Sequence, residues 1–86
     1  MSHHLVNLAW QEDLNHTPKV VLLALAHMAV PSTGECWPST RVLSSLCGLS
    51  PSAIRTQVIL LEKRGLIEVK DVGGLNHYTV KLGASA

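Results

Sequence analysis

Residues 39–64 have the sequence STRVLSSLCGLSPSAIRTQVILLEKR, in which two helix starts flank one helix stop. Ser39 and Ser50 are placed as N-cap residues, whose side-chain oxygens accept hydrogen bonds from the free N–H groups of a first helical turn. Gly48 suits the left-handed backbone conformation that closes a helix. The stretch therefore predicts two helices joined by a tight turn.

Each of these helices is expected to bury one apolar face. The first is predicted over residues 40–46 and the second over residues 51–64, with proline at the first helical position, where its missing N–H costs nothing. The expected buried side chains are Val42, Leu43 and Leu46 in the first helix and Ile54, Val58 and Leu61 in the second. A short turn that contains glycine and an apolar corner residue, here Leu49, is typical of the helix-turn-helix motif.

A third helix is predicted upstream, over residues 17–30. Thr17 is expected to cap it, and Pro18 to occupy its first turn. The segment is apolar nearly all round, so it is expected to be the buried central helix, with His27 packed and Leu23 and Leu25 in the core.

Extended segments are predicted on both sides of the motif. Cys36 and Trp37 form a short extended piece before Pro38, with Trp37 expected to anchor the core. Downstream, residues 66–70 and 77–82 alternate as strands do, and the segment 71–76 between them is rich in Gly and Asn. The predicted fold is α+β: a winged helix-turn-helix with a three-helix core and a C-terminal β-hairpin, the wing.

Composition fits one small domain over residues 1–86, with a core at about 8–82 and a frayed end at 83–86. The chain is 47% hydrophobic and has a net charge of +1. It contains two Trp, one Tyr and no Phe, which argues against stacking on single-stranded nucleic acid. Four of its seven cations fall in one short stretch: Arg55, Lys63, Arg64 and Lys70.

Several classes of site are not expected from the sequence. The cysteines, Cys36 and Cys47, form no CxxC pair and have no His at zinc-ligand spacing, so free thiols and no metal are predicted. The chain has no nucleophile–base pair, acidic pair or phosphate loop, so neither an enzyme nor a cofactor or small-molecule ligand is predicted. Signal-peptide and membrane-spanning patterns are also missing, which favours a cytoplasmic location.

The second helix of a helix-turn-helix motif enters the major groove with its N-terminal residues toward the base edges. Here those residues are Ser50, Ser52, Arg55 and Thr56. Hydroxyl groups bind phosphates or bases, and Arg binds guanine through two hydrogen bonds. Double-stranded DNA is therefore the expected partner.

Five segments together resemble a known family. They are Leu22–His27 (LLALAH), Gly34–Ser39 (GECWPS), Cys47–Ser50 (CGLS), Leu61–Ile67 (LEKRGLI) and Asn76–Val80 (NHYTV). The combination resembles the helix-turn-helix family of plasmid and phage replication proteins and small plasmid transcriptional regulators, over residues 8–82.

The resemblance implies a DNA-binding surface drawn from three parts of the chain. The start of the first motif helix would lie near the DNA backbone, with Ser39, Thr40 and Arg41. The recognition helix would begin with Ser50, Ser52, Arg55 and Thr56. The wing tip would be formed by residues 71–76. Further contacts to DNA are expected from Lys63, Lys70, Asn76 and His77. The chain departs from the family pattern at Ile59 and Leu60, which are usually polar or basic, and at its wing tip, which lacks Lys and Arg.

Three functions stay open at this point. The first is a sequence-specific regulator, expected to be a repressor that occupies an operator, and the length of 86 residues favours it. The second is a replication-associated module that binds an origin or a replication partner protein. The third is a winged helix used for protein interaction alone, which the near-neutral charge keeps open.

A homodimer is expected, because one helix contacts too few base pairs for useful selectivity. Apolar residues outside the predicted core also favour a homodimer. Leu5, Val6, Leu8 and Trp10 precede the first predicted helix, and they are expected to pack against a second copy. Ile59 and Leu60 are expected either to join that contact or to cover the wing of their own chain.

Overall fold

The computed structural model describes residues 3–82 and contains helices on one side of a small antiparallel sheet. Residues 83–86, for which fraying was predicted, lie outside the described part. The elements in chain order are α1 (His3–Gln11), α2 (His16–Met28), β1 (Glu35–Cys36), α3 (Thr40–Cys47), α4 (Pro51–Lys63), β2 (Ile67–Val72) and β3 (Leu75–Val80). The predicted α+β winged helix-turn-helix is confirmed, with α1 added to it and with the predicted extended piece forming β1, one residue earlier than expected.

Helix α2 is the centre of the fold, since α1, α3, α4 and β3 all contact it. Its side chains at Val21, Leu22, Leu25 and Ala26 are buried. The predicted burial of Leu23 in the core and packing of His27, however, are wrong. Leu23 is only half-buried and His27 is exposed, because no element covers that side of α2 completely.

The start of α2 also differs from the prediction. The helix begins at His16 with Asn15 as its N-cap, and the Asn15 side chain makes no capping hydrogen bond. Thr17 is therefore inside the helix and does not cap it. Pro18 is tolerated as the third helical residue, because the first four N–H groups of a helix have no intrahelical partner.

The sheet has the strand order β1-β3-β2, with all neighbours antiparallel. The hairpin turn consists of Gly73 and Gly74 alone, which have φ values of +61° and +84°. A two-residue turn with two positive φ values matches the right-handed twist of the strands. Strand β2 consequently ends two residues later than predicted and β3 begins two residues earlier, so most of segment 71–76 is paired.

Strand β1 holds the loop after α2 against β3. Cys36 pairs with Tyr78, and Gly34 donates to Val30 O and accepts from Val80 N, both at 2.7 Å. A Cβ on Gly34 would stand 2.6 Å from Val80 O, and its φ is +74°. Only glycine fits this close approach.

Three predicted core side chains are exposed instead: Val42, Leu46 and Trp37. Helix α3 is only eight residues long and directs Leu43 alone into the core. Trp37 lies outside the sheet with its ring centroid 5.1 Å from that of His77. The core itself is aliphatic apart from Tyr78 and Cys36.

Candidate nucleic-acid interface

The turn between α3 and α4 is built as the sequence predicts. Gly48 has φ +68°, and its N–H donates to Ser44 O at the end of α3. The Ser44 hydroxyl donates in turn to Leu49 O, which fastens the corner. Ser50 then caps α4 by accepting from Ala53 N at 3.2 Å.

The N-terminal half of α4 presents one polar face to solvent. Ser52, Arg55 and Thr56 are exposed, whereas Ile54, Val58 and Leu61 on the other side are buried. The Thr56 hydroxyl donates to Ser52 O at 3.0 Å, and Arg55 makes up the exposed cation of this face. This face carries donors suited to phosphates and to guanine.

The start of α3 has similar properties. Ser39 accepts from Val42 N at 3.1 Å, and Arg41 is exposed beside it. Neither α3 nor α4 has an acidic residue in its first turn. The positive ends of both helix dipoles therefore carry no carboxylate from their own first turn, which favours a nearby phosphate.

A groove of about 210 Å³ separates α4 from the wing. Its lining includes Thr40, Arg55, Ile59, Asn76 and Tyr78. The Asn76 amide donates to the Tyr78 hydroxyl at 3.3 Å. The tertiary structure thus brings three predicted DNA-binding residues, from α3, α4 and the wing, to one groove.

The other two predicted wing residues lie on the opposite face of the sheet. His77 follows Asn76 in β3 and so points the other way, and Lys70 is its cross-strand partner. The His77 side chain is 14% exposed, with Nε2 3.5 Å from Glu35 Oε2 and Trp37 against the ring. Lys70 is exposed and free to reach a phosphate, whereas His77 is largely enclosed by its own chain.

Lys63 also lies apart from Thr40, Arg55 and Asn76, the residues that share the groove beside the wing. It is exposed in the last turn of α4, about 18 Å along the helix axis from Pro51. The neighbouring Arg64 donates to Asp13 O at 3.4 Å and so fastens the end of α4 to the segment before α2. DNA contact by each of the eleven predicted residues stays a prediction.

Sequence reasoning missed Ile59 as part of this surface. It is exposed one turn after Arg55 and lines the same groove, while Leu60 packs against the core. An apolar side chain at this place suits the methyl group of thymine. The spacing of four residues from Arg55 was the available signal.

Residues 3–82 differ from a metal-binding or membrane-spanning chain in several respects. No group of three or more His, Cys, Asp or Glu side chains there is arranged to hold a metal ion. Burial raises the pKa of the Cys36 thiol to about 11 and also raises the pKa of the Cys47 thiol. Within the same range, no helix has the length and apolar character needed to cross a membrane.

A family model described as a helix-turn-helix domain matches residues 12–67. The match covers α2, β1, α3 and α4 and ends at the first residue of β2. It supports DNA binding by the α3–turn–α4 unit. Neither a curated protein nor a solved structure matches the chain.

Proposed function

The chain belongs to the helix-turn-helix domain family, and on that premise we propose that it is a sequence-specific regulator of transcription that binds double-stranded DNA. The observation that carries this proposal is the polar face of α4. Ser52, Arg55 and Thr56 stand exposed at the capped start of the second motif helix. In this motif that position meets base edges in the major groove.

The proposed mode of action is repression by operator occupancy in the cytoplasm, without catalysis. Occupancy requires only tight and selective binding, which a recognition helix, a wing and backbone contacts supply. The five segments that resemble plasmid and phage proteins support a plasmid or phage gene as the target. Two copies, bound to two half-sites about one DNA turn apart, would supply the selectivity that one α4 lacks.

A second candidate is a replication-associated module that binds an origin or a partner protein. The observation that favours it is the wing tip, where Val72 and Leu75 are exposed and no Lys or Arg is present. An apolar tip suits a protein contact better than a phosphate contact. In that case the chain would bind DNA through α4 and leave the wing tip for its partner.

The test begins with selection of preferred sites from a pool of random duplexes. Arg55→Ala should then weaken binding to the selected site by about 1–3 kcal/mol and relax discrimination at one base pair. Lys63→Ala is the control, since an exposed cation at the far end of α4 should affect selected and scrambled duplexes equally. Enrichment of no site, or equal losses on both duplexes for Arg55→Ala, would contradict the proposed role.

A further inference from the structure

An apolar groove of about 320 Å³ lies on another part of the surface, between α1, α2 and α3. It is lined by Trp10 from α1, Val20 and Leu23 from α2, and Leu46 and Cys47 from α3. Three of these side chains are substantially exposed: Trp10 at 59%, Leu46 at 58% and Val20 at 39%. The fold therefore leaves a concave apolar surface in contact with water.

Trp10 is held at the edge of this groove by its own helix. Leu5 and Ala9 bury the inner side of α1 against the core, and Lys19 Nζ donates to the Trp10 carbonyl at 3.0 Å. The backbone at Trp10 is thus fixed while its indole stays exposed. A protruding indole beside a concave apolar groove is a surface that can fit a copy of itself.

We propose that two copies of the chain associate through this groove about a two-fold axis, with Trp10 of each copy packed into the groove of the other. This inference rests on the proposed function in one respect, because binding to two half-sites calls for a homodimer. It assigns the contact to α1, α2 and α3 and leaves α4 and the wing out of it. In an isologous interface of this kind the same patch serves both partners.

The charge of the groove favours a second copy over an unrelated protein. No Asp, Glu, Lys or Arg is among its lining residues, and His27 and Cys47 are the ionisable ones. Groups close to a two-fold axis approach their own equivalents, so a lining of one charge sign would repel itself there. Unrelated partners are commonly selected through complementary charges, which this groove lacks.

The area available is consistent with a dimer of modest strength. Trp10, Leu46 and Val20 together expose on the order of 250 Å² of apolar side-chain surface per copy. A small specific interface covers about 500 Å² per partner, somewhat more than half of it apolar. The three side chains supply most of that apolar part, and a dissociation constant on the order of micromolar is expected.

The apolar groove and the candidate DNA interface lie at opposite ends of α3. Thr40, at the start of α3, lines the groove beside α4 and the wing, whereas Leu46 and Cys47, at its end, line the apolar groove. Thr40 and Leu46 are about 9 Å apart along the helix axis. The two grooves share no lining residue, so a second copy in the apolar groove does not occupy the residues proposed to contact DNA.

The proposal is tested by measuring sedimentation at protein concentrations from sub-micromolar to several hundred micromolar. Leu46→Glu should raise the dimer dissociation constant at least about 100-fold, because it places an unpaired carboxylate in the interface. Leu75→Glu is the matched control: the same change, at a leucine of similar exposure (62%) on the wing, should leave the dimer intact. Thermal melting checks that both variants are folded.

The reactivity of Cys47 gives a second measurement that needs no variant. Cys47 is partly exposed in the single chain and Cys36 is buried, so a thiol reagent should modify Cys47 first. Its rate should fall as wild-type protein concentration rises through the dimerisation range. In Leu46→Glu the rate should be independent of concentration.

Two results would overturn the proposal. One is a wild-type chain that stays monomeric at several hundred micromolar, with Cys47 equally reactive throughout. The other is a dimer that survives Leu46→Glu and leaves Cys47 reacting at the monomer rate, which would assign the contact to another surface. A groove-dependent dimer that selects no DNA site would instead uphold this interface and contradict the proposed function.

Discussion

Helices α2 and α4 have the same length, 13 residues each, but they expose different amounts of their surface. Helix α2 is contacted by three other helices and by β3. Helix α4 buries one stripe, Ile54, Val58 and Leu61, and leaves its other side to solvent. Most of α2 is covered by its own chain, whereas α4 exposes a whole face to solvent.

The difference comes from the spacing of apolar residues along each helix. In α2 they are nearly continuous, whereas the first half of α4 is mostly polar and its buried side chains recur every three or four residues. The ends differ too: α4 begins with a side-chain cap from Ser50, and α2 begins without one. Packing therefore stabilises α2, while α4 depends more on local hydrogen bonds.

The largest expected effect of a single substitution is in α2. Leu25→Ala should lower the free energy of unfolding by about 2–5 kcal/mol, because Leu25 is completely buried and its truncation leaves a cavity. Leu23→Ala, two residues earlier but half-buried in the apolar groove, is the matched control and should cost less. Denaturant titration measures both, and equal losses would show that α2 is enclosed on every side.

A pH effect of intermediate size is expected where β1 meets α2. The Cys36 thiol donates to Leu25 O at 3.7 Å, and its pKa rises from 9.0 to about 11 in the folded chain. Because the folded pKa is the higher one, this contribution to stability is complete below pH 9 and is lost as pH rises to about 11. The loss amounts to about 2–3 kcal/mol.

Unfolding measured between pH 8 and pH 11 checks this expectation. Cys36→Ala removes the thiol, so its unfolding free energy should fall less over the same pH range. The difference between the two curves isolates Cys36 from the other groups that titrate there. Parallel curves would mean that burial of this thiol does not couple to folding.

The smallest expected effect concerns the helix caps. Ser50→Ala removes the acceptor for Ala53 N and should cost about 1 kcal/mol of stability. Asn15→Ala should cost less, since the Asn15 side chain makes no capping hydrogen bond to α2. Thermal melting compares the two variants. A greater loss of stability for Asn15→Ala would contradict the conclusion that α4 depends more than α2 on its cap.

The motif at residues 39–64 was predictable because each of its signals is local. Ser39, Gly48 and Ser50 act on backbone groups within a few residues, and the structure uses all three as expected. The bounds of α4 follow from the same signals. Helix α1 was not predicted, because which of its side chains are buried depends on how it packs against α2.

The candidate interface was predictable in part. The exposed face of α4 follows from helical periodicity, so Ser52, Arg55 and Thr56 were found without the structure. The wing was harder, since which of its residues face α4 depends on the strand register. Asn76 faces the α4 groove, whereas His77, one residue on, is enclosed by Trp37 and Glu35.

The sequence by itself determined the caps of α3 and α4, the turn between them and the apolar spacing, and hence the order of α2, α3, α4 and the β-hairpin. These features arise from interactions between residues close together in the chain. Only the tertiary structure decided that Trp10, Leu46 and Trp37 stay exposed, and that Thr40, Arg55 and Asn76 share one groove. Burial depends on which distant segments cover a side chain, and no local pattern in the sequence specifies that.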